Sequence, residues 1–235
     1  MSEAAGAARA GNPGGQRERA LFRHDVAAAA VRLYADQGYE ATSAEQVAAA
    51  AGLSRSTFFR QFRSKEDVVF ADHDVLLEEA EAFLARRHED PWEAVCEAAE
   101  LVFAHFDGQR DLAQLRYQVV NREPSLRDKE LVTTFRYERL FRRYLRSAVA
   151  GIEPIDAVRF AATVIATHNY LLRGLMRGEP GCDVARLRSE LDTVKRLFRV
   201  GSRGDAEDVV VAVFPRLTPA ADIARRVREA LENTL

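Results

Sequence analysis

Alternating stop and start signals for helices constrain this sequence most strongly, because they divide residues 17–65 into short helical segments. Glycine is typical just after the end of a helix, and serine is typical just before its start. The glycines are Gly38 and Gly52, and the serines are Ser43, Ser54 and Ser64. Between these signals, apolar residues recur with the three- and four-residue spacing of an amphipathic helix. Two short helices joined by a turn at Gly52 predict a helix-turn-helix.

The remainder of the chain also has helical periodicity as far as residue 200. The predicted helices are 65–88, 91–107, 111–121, 125–150, 154–178 and 183–200. A β-branched run and a short amphipathic helix follow. We therefore predict an all-α fold with a three-helix head, a helical-bundle body and a strand-plus-helix appendix. The predicted divisions are a disordered tail (1–16), the helix-turn-helix domain (17–64), a helical body (65–200) and the appendix (201–235).

Composition excludes several classes of protein. With 47% hydrophobic and 30% charged residues, the chain is not expected to be disordered. It contains no apolar run near the ~18–20 residues needed to cross a bilayer, and its first residues lack the apolar core of a secretory signal. Two cysteines form no disulfide framework, so a cytoplasmic location is expected. No catalytic constellation is recognisable, so we expect neither an enzyme nor a bound cofactor or metal.

The charge distribution is uneven along the chain. Residues 1–65 hold nine basic and six acidic side chains, whereas residues 66–109 hold two basic and thirteen acidic ones. A basic head on an acidic body indicates that the head meets a polyanion.

Three motifs follow one another between Gly38 and Phe70: Gly-Tyr-x-x-Thr-Ser, Val-Ala-x-x-Ala-Gly-Leu-Ser and Phe-x-x-Phe-x-Ser-Lys-Glu-Asp. With these motifs at this spacing, residues 17–70 resemble the DNA-binding head of the TetR family of bacterial transcriptional regulators. The resemblance implies a homodimer on a pseudo-palindromic operator, a body that binds a small-molecule effector, and action as a repressor. Phe59 departs from the tyrosine that is most common there.

The third helix is the predicted recognition helix, because a major groove about 12 Å wide admits one helix. Leu53, Phe58 and Phe62 would anchor it, leaving Arg55 free to contact guanine. Lys65 resembles the family's phosphate-contacting lysine. The predicted DNA-contacting residues are Thr42, Ser43, Ser54, Arg55, Ser56, Thr57, Phe59, Arg60 and Lys65.

An arginine stripe in the segment 125–150 has two interpretations, and only one of them indicates the chemistry of the effector. Arg136, Arg139, Arg143 and Arg146 share one helix face, which suits either an anionic ligand or pairing with the acidic segment 66–109. The first alternative favours an acyl-CoA or another lipophilic anion; a different lipophilic effector, or an enzyme using an apolar cavity, stays open. The predicted ligand-binding residues are Phe103, Phe106, Tyr117, Arg136, Arg139, Tyr144, His168 and Asn169.

Some of these residues have competing interpretations. The aromatic ones suit an ordinary core as well as a pocket, and His168 and Asn169 suit a subunit interface as well as a pocket. The resemblance places the dimer interface on the last two long helices, which are 154–178 and 183–200.

Overall fold

A computed structural model describes residues 13–199 of the chain, and these residues form ten α-helices. They are α1 (Pro13–Gln37), α2 (Ala44–Ala50), α3 (Arg55–Gln61), α4 (Lys65–Val69), α5 (Ala71–Leu84), α6 (Pro91–Asp107), α7 (Arg110–Arg122), α8 (Pro124–Ala148), α9 (Pro154–Met176) and α10 (Val184–Arg199). The all-α prediction is confirmed. The predicted tail up to residue 12 and the predicted appendix lie outside the described residues.

The chain divides into two compact units between Arg196 and Leu197, and the packing described below is that of the first unit. Within residues 13–199, no helix combines the length and the apolar character that crossing a membrane requires.

Helices α1 to α4 form the head, and its local capping signals are as predicted. Ser43 accepts a hydrogen bond from the Gln46 amide while the Gln46 side chain accepts one from the Ser43 amide, so the capping box is present. Ser54 caps α3 by accepting from the Thr57 amide at 3.1 Å. Gly52 has a φ of +68°, a left-handed conformation that glycine adopts without steric cost. These caps set the turn between α2 and α3.

The predicted helix 65–88 is wrong in one respect, because it is broken at Phe70. This residue has φ −113° and ψ 19°, and it ends α4 and begins α5. Neither glycine nor proline marks the break. Phe70 is buried in the head core together with Val68, Val69 and Ala71, so tertiary packing of these side chains takes precedence over a continuous helix.

The body is built from α5 to α10, and α1 joins it to the head. Helix α1 packs on α5 and α7, while α8 and α9 lie against each other and α6 packs on α9. The hydrophobic core of the head continues into the body, since Val119 and Val120 of α7 and Leu126 of α8 belong to it. Head and body are therefore mechanically connected through shared apolar packing as well as through the chain.

Candidate nucleic-acid interface and buried cavity

Helix α3 presents a polar face to solvent and an apolar face to the head. Phe58 is 0% exposed and Phe62 is 2% exposed, and their rings lie 5.3 Å apart. On the opposite side Phe59 is 46% exposed, and the predicted outward positions Arg55, Ser56 and Arg60 are all exposed. A short helix with this division is shaped for insertion into a major groove.

The N-terminus of α3 carries a cluster of hydroxyl groups. Ser54 Oγ lies 3.0 Å from Ser56 Oγ and 2.9 Å from Thr57 Oγ1. Next to it, Arg55 pairs with Glu45 of α2 through an Nε–Oε1 distance of 3.1 Å, and both side chains are at least half exposed. Such an exposed ion pair contributes little, about 0–1 kcal/mol, so a DNA base or phosphate can displace Glu45 from Arg55.

Two predicted DNA-contacting residues, Thr42 before α2 and Lys65 at the start of α4, use their side chains to hold the turn before α2. Thr42 is 1% exposed, and its hydroxyl donates to the Gly38 carbonyl at 2.7 Å, so its side chain holds the turn and does not face DNA. Lys65 Nζ donates to the Tyr39 carbonyl at 2.9 Å and to the Thr42 carbonyl at 3.4 Å. An ammonium has three N–H groups, which leaves one of Lys65 for a phosphate.

A cavity lies inside the body between α6, α7, α8 and α9, below the break at Phe70. Its accessible volume is about 60 Å³. Its lining is mainly apolar and comprises Phe70, His73, Ala99, Val102, Arg116, Tyr117, Val120, Glu130, Thr133, Thr134, Tyr137, Phe141, Ile165, His168, Asn169, Leu172 and Met176.

Buried polar groups with unused hydrogen-bonding capacity face this cavity. Arg116 Nε and Nη1 and His168 Nε2 are buried and have no hydrogen-bond partner among the described residues. Burial lowers the pKa of His168 to about 4 and that of His73 to about 4, so both rings are neutral at pH 7. Burial also raises the pKa of the Glu130 carboxyl, although Arg173 opposes the shift. An apolar cavity with a few unsatisfied polar groups is the usual form of a small-molecule site.

Six of the eight predicted ligand-binding residues fall into three groups. Tyr117, His168 and Asn169 line the cavity. Phe103 and Phe106 stand behind it as buried core, with Phe103 edge-on to His168 at 5.6 Å. Tyr144 lies elsewhere, edge-on to His88 at 6.3 Å. Of the aromatic residues that suited either a core or a pocket, Phe103 and Phe106 therefore belong to the core, and Tyr117 lines the cavity.

Neither Arg136 nor Arg139, both predicted to bind the ligand, lines the apolar cavity, whereas Arg136 lines the polar groove beside it. Arg136 Nη1 binds Asp74 Oδ1 of α5 at 2.7 Å, Arg143 pairs with Glu81 of α5, and Arg139 is exposed. The stripe faces outward because the other side of α8 is the apolar one, and the acidic helix α5 supplies its partners. Pairing with the acidic segment, the second interpretation of the stripe, is what the structure shows.

A polar groove adjoins the cavity at the junction of head and body. It offers about 460 Å³ to the centre of a water molecule, and it shares Phe70 and Thr133 with the cavity lining. Four basic side chains and two acidic ones line it: Arg23, Arg63, Lys129 and Arg136, with Asp67 and Asp74. The excess of basic groups makes this groove suited to an anion.

Sequence reasoning missed most of the polar lining. Arg116 is on α7 and Glu130, Thr133 and Tyr137 are on α8. The local pattern gave no signal that Arg116 is buried, since α7 is a short helix rich in polar residues. The four-residue spacing of Thr133, Tyr137 and Phe141, all buried, marks the inner face of α8 and could have identified that side of the cavity.

Comparison with known proteins relates the head of the chain to one protein family. Residues 26–71 match the family model for bacterial regulatory proteins, tetR family. The chain is 29% identical over 137 residues to the HTH-type transcriptional regulator HbdR of Aromatoleum sp. (strain CIB), covering 55% of this chain and 58% of that protein. It is 34% identical over 130 residues to the HTH-type transcriptional regulator TcmR of Streptomyces glaucescens, covering 49% and 55%. The chain thus spans a little over half the length of these relatives.

Solved structures share the fold over most of the chain. A protein of Syntrophomonas wolfei assigned to the TetR-family transcriptional regulators superposes with a TM-score of 0.58 at 14% identity, covering 79% of this chain and 98% of that one. The transcriptional regulator FadR of Bacillus subtilis, solved in complex with stearoyl-CoA, superposes with a TM-score of 0.50 at 19% identity, covering 73% and 96%. Residues 26–71 therefore carry the TetR-family motif, and the described part of the chain shares the fold of solved TetR-family regulators.

Proposed function

We propose that this protein is a transcriptional repressor that binds a pseudo-palindromic DNA operator as a homodimer and releases it when a lipophilic effector enters the body. The observation that carries the proposal is α3, whose buried Phe58 and Phe62 fix the helix while Arg55, Ser56, Phe59 and Arg60 remain exposed. The named relatives are transcriptional regulators, which supports a role in binding and not in catalysis.

A second copy of the chain is the proposed partner of the outer face of α8 and α9. Leu131 and Phe135 of α8 are 63% and 54% exposed, and Tyr170 of α9 is 72% exposed. Arg173 and Glu130 join the two helices at 4.0 Å, so these apolar side chains lie on neighbouring turns. An exposed apolar patch across two adjacent helices suits an isologous four-helix contact. We therefore propose that α8 and α9 form the interface, whereas the sequence resemblance predicted α9 and α10.

The proposed effector is an amphipathic anion such as an acyl-CoA. Its apolar part would occupy the cavity, and its anionic part would occupy the basic groove that meets the cavity at Phe70 and Thr133. The stearoyl-CoA bound to Bacillus subtilis FadR supports this class of ligand. The cavity has an accessible volume of only about 60 Å³, so a long acyl chain requires its helices to move apart.

That movement supplies the proposed coupling to DNA. Phe70 lines the cavity and also forms the break between α4 and α5. An effector that displaces Phe70 would shift α4, and with it α3, relative to the body. Its influence on DNA binding equals its differential affinity for the two arrangements, typically about 1–3 kcal/mol.

Replacing Arg55 with alanine tests the DNA-binding part. With an operator selected from a random duplex library, we expect the affinity of the Arg55→Ala variant to fall by about 1–3 kcal/mol, with relaxed base preference at one position of each half-site. Fluorescence anisotropy at fixed salt measures the affinity. The exposed Arg146 on the last turn of α8 provides a matched control, since Arg146→Ala removes the same charge far from the head. Unchanged base preference in Arg55→Ala would contradict the proposed orientation of α3.

Thermal melting with stearoyl-CoA, free CoA and stearate tests the effector class. At about 100 times its dissociation constant a ligand stabilises the native state by about 2.7 kcal/mol, and we expect the thioester to reach this at the lowest concentration. Lys129 lines the groove, so Lys129→Met should weaken the binding of stearoyl-CoA, which carries several anionic groups, more than that of stearate, which carries one, while Arg146→Met should alter neither. If all three ligands leave the melting temperature unchanged, the effector is of another class.

A further inference from the structure

Two histidines and an aspartate from three different helices converge at one place outside the basic groove and the apolar cavity. They are His24 of α1, Asp72 of α5 and His105 of α6, and one potential ligand atom of each lies within 4.8 Å of the other two. His105 Nε2 and Asp72 Oδ2 are 3.5 Å apart, and the two imidazole rings meet edge-on with centroids 5.5 Å apart.

This convergence differs from what neighbouring residues on one helix could achieve. The sequence places an acidic residue on each side of His73, and such neighbours point in different directions on a helix. In the structure the two histidines beside Asp72 come instead from α1 and α6, and they lie 48 and 33 residues away from it in the sequence. Packing of α1 and α6 on α5 therefore creates a group that no local motif indicates.

The donor set matches a first-row divalent transition metal. Two imidazole nitrogens and one carboxylate oxygen suit Zn²⁺, Ni²⁺ or Fe²⁺, whereas Mg²⁺ and Ca²⁺ prefer oxygen ligands alone. Bonds of about 2.0–2.2 Å in a tetrahedral site place its donors roughly 3.3–3.6 Å apart. The His105–Asp72 distance already meets this requirement, and the His24 nitrogen, which lies within 4.8 Å of both partners, must move closer to them.

Two further observations point to a ligand at this place. His24 Nδ1 is buried and has no hydrogen-bond partner among the described residues, although buried polar atoms in native proteins are nearly always paired. The three side chains also line a pocket, together with Glu79 and Gln109, whose oxygens could complete a coordination shell. This pocket provides the entry path that a metal ion needs.

One neighbouring charge works against the ion. Arg116 Nη2 binds the same Asp72 Oδ2 at 2.5 Å, so a guanidinium already neutralises part of the carboxylate. This competition favours an affinity in the micromolar range over the much tighter binding of a structural zinc site, and it favours ions held mainly by imidazole.

We propose that His24, Asp72 and His105 bind a divalent transition-metal ion, with Zn²⁺ as the probe, and that the ion links α1 of the head to α5 and α6 of the body. The remaining coordination positions are open to water or to Glu79 and Gln109. Because the ligands belong to both head and body, bound metal restrains their relative movement. The pocket beside the three ligands shares no lining residue with the effector cavity, although Arg116, which lines that cavity, also binds Asp72.

Calorimetric titration of the untagged full-length protein, stripped with EDTA and dialysed, tests the site. We expect one Zn²⁺ per chain with a micromolar dissociation constant, a higher melting temperature, and no binding of Mg²⁺. His24→Gln and His105→Gln should each weaken Zn²⁺ binding by about 10–100-fold. His88 contacts only the Phe83 carbonyl and nearby rings among the described residues, so His88→Gln is the matched control and should bind as the unaltered chain does.

Cobalt provides a readout that a change in stability does not affect. Co²⁺ in a four-coordinate nitrogen and oxygen site gives visible absorption bands, which should appear in the unaltered chain and in His88→Gln but not in His24→Gln. Far-UV circular dichroism establishes that each variant is folded. Equal Zn²⁺ affinity in His24→Gln, His105→Gln and His88→Gln, or no binding up to about 1 mM, would overturn the proposal, whether or not the chain binds DNA.

Discussion

Replacing Arg116 with methionine is expected to lower the free energy of unfolding by about 3–5 kcal/mol. Arg116 and Asp72 are 4% and 2% exposed, and Nη2 and Oδ2 lie 2.5 Å apart. Burial alone would raise the pKa of Asp72, but the adjacent guanidinium holds it well below its usual range. The Arg116→Met variant therefore leaves a charged or freshly protonated carboxyl in a site with almost no water.

Urea unfolding at fixed chain concentration measures this effect, with EDTA present so that no metal replaces the lost cation. The double variant Arg116→Met, Asp72→Asn removes both charges and should recover more than half of the loss. Arg143→Met breaks the exposed Arg143–Glu81 pair and should cost less than about 1 kcal/mol. An Arg116→Met variant as stable as Arg143→Met would mean that Asp72 is hydrated in solution.

Local signals predicted the head well, because its helix ends are determined by adjacent residues. Helix α3 runs from Arg55 to Gln61, as predicted from the serine cap at Ser54. Prolines at the first positions of α6, α8 and α9 likewise marked the starts of long helices. The break at Phe70 had no such marker, because it arises from packing between the head and α7.

The candidate sites were less predictable, because their geometry depends on distant residues. The Arg136 stripe could face a ligand or an acidic helix, and the choice depends on Asp74, which is 62 residues away. Thr42 has the residue type and position of a phosphate contact, yet the turn uses its hydroxyl for Gly38. Arg116 looks like a surface arginine in sequence and is buried because Asp72 from α5 is beside it.

Substitutions of two adjacent phenylalanines of α3 should have different effects on the stability of the head and on DNA recognition. Phe58 is 0% exposed and contacts the Phe62 ring. Truncating it to alanine removes one of the largest buried side chains and leaves a cavity, so we expect the free energy of unfolding to fall by about 3–5 kcal/mol. Operator affinity should fall with it, because α3 loses the contact that orients it.

Phe59, the next residue, is 46% exposed and lies outside the head core, although its ring meets Phe58 edge-on at 5.4 Å. Phe59→Ala should change the free energy of unfolding by no more than about 0.5 kcal/mol. It should nevertheless weaken operator binding by about 1 kcal/mol, because an apolar ring at this position can contact a thymine methyl group in the major groove. Urea unfolding and fluorescence anisotropy on both variants measure the two quantities.

If Phe59→Ala destabilised the fold as much as Phe58→Ala, the outward face of α3 would be misassigned. If it left operator affinity unchanged, Phe59 would not contact the bases, and Arg55 and Arg60 would remain as the side chains that read the sequence.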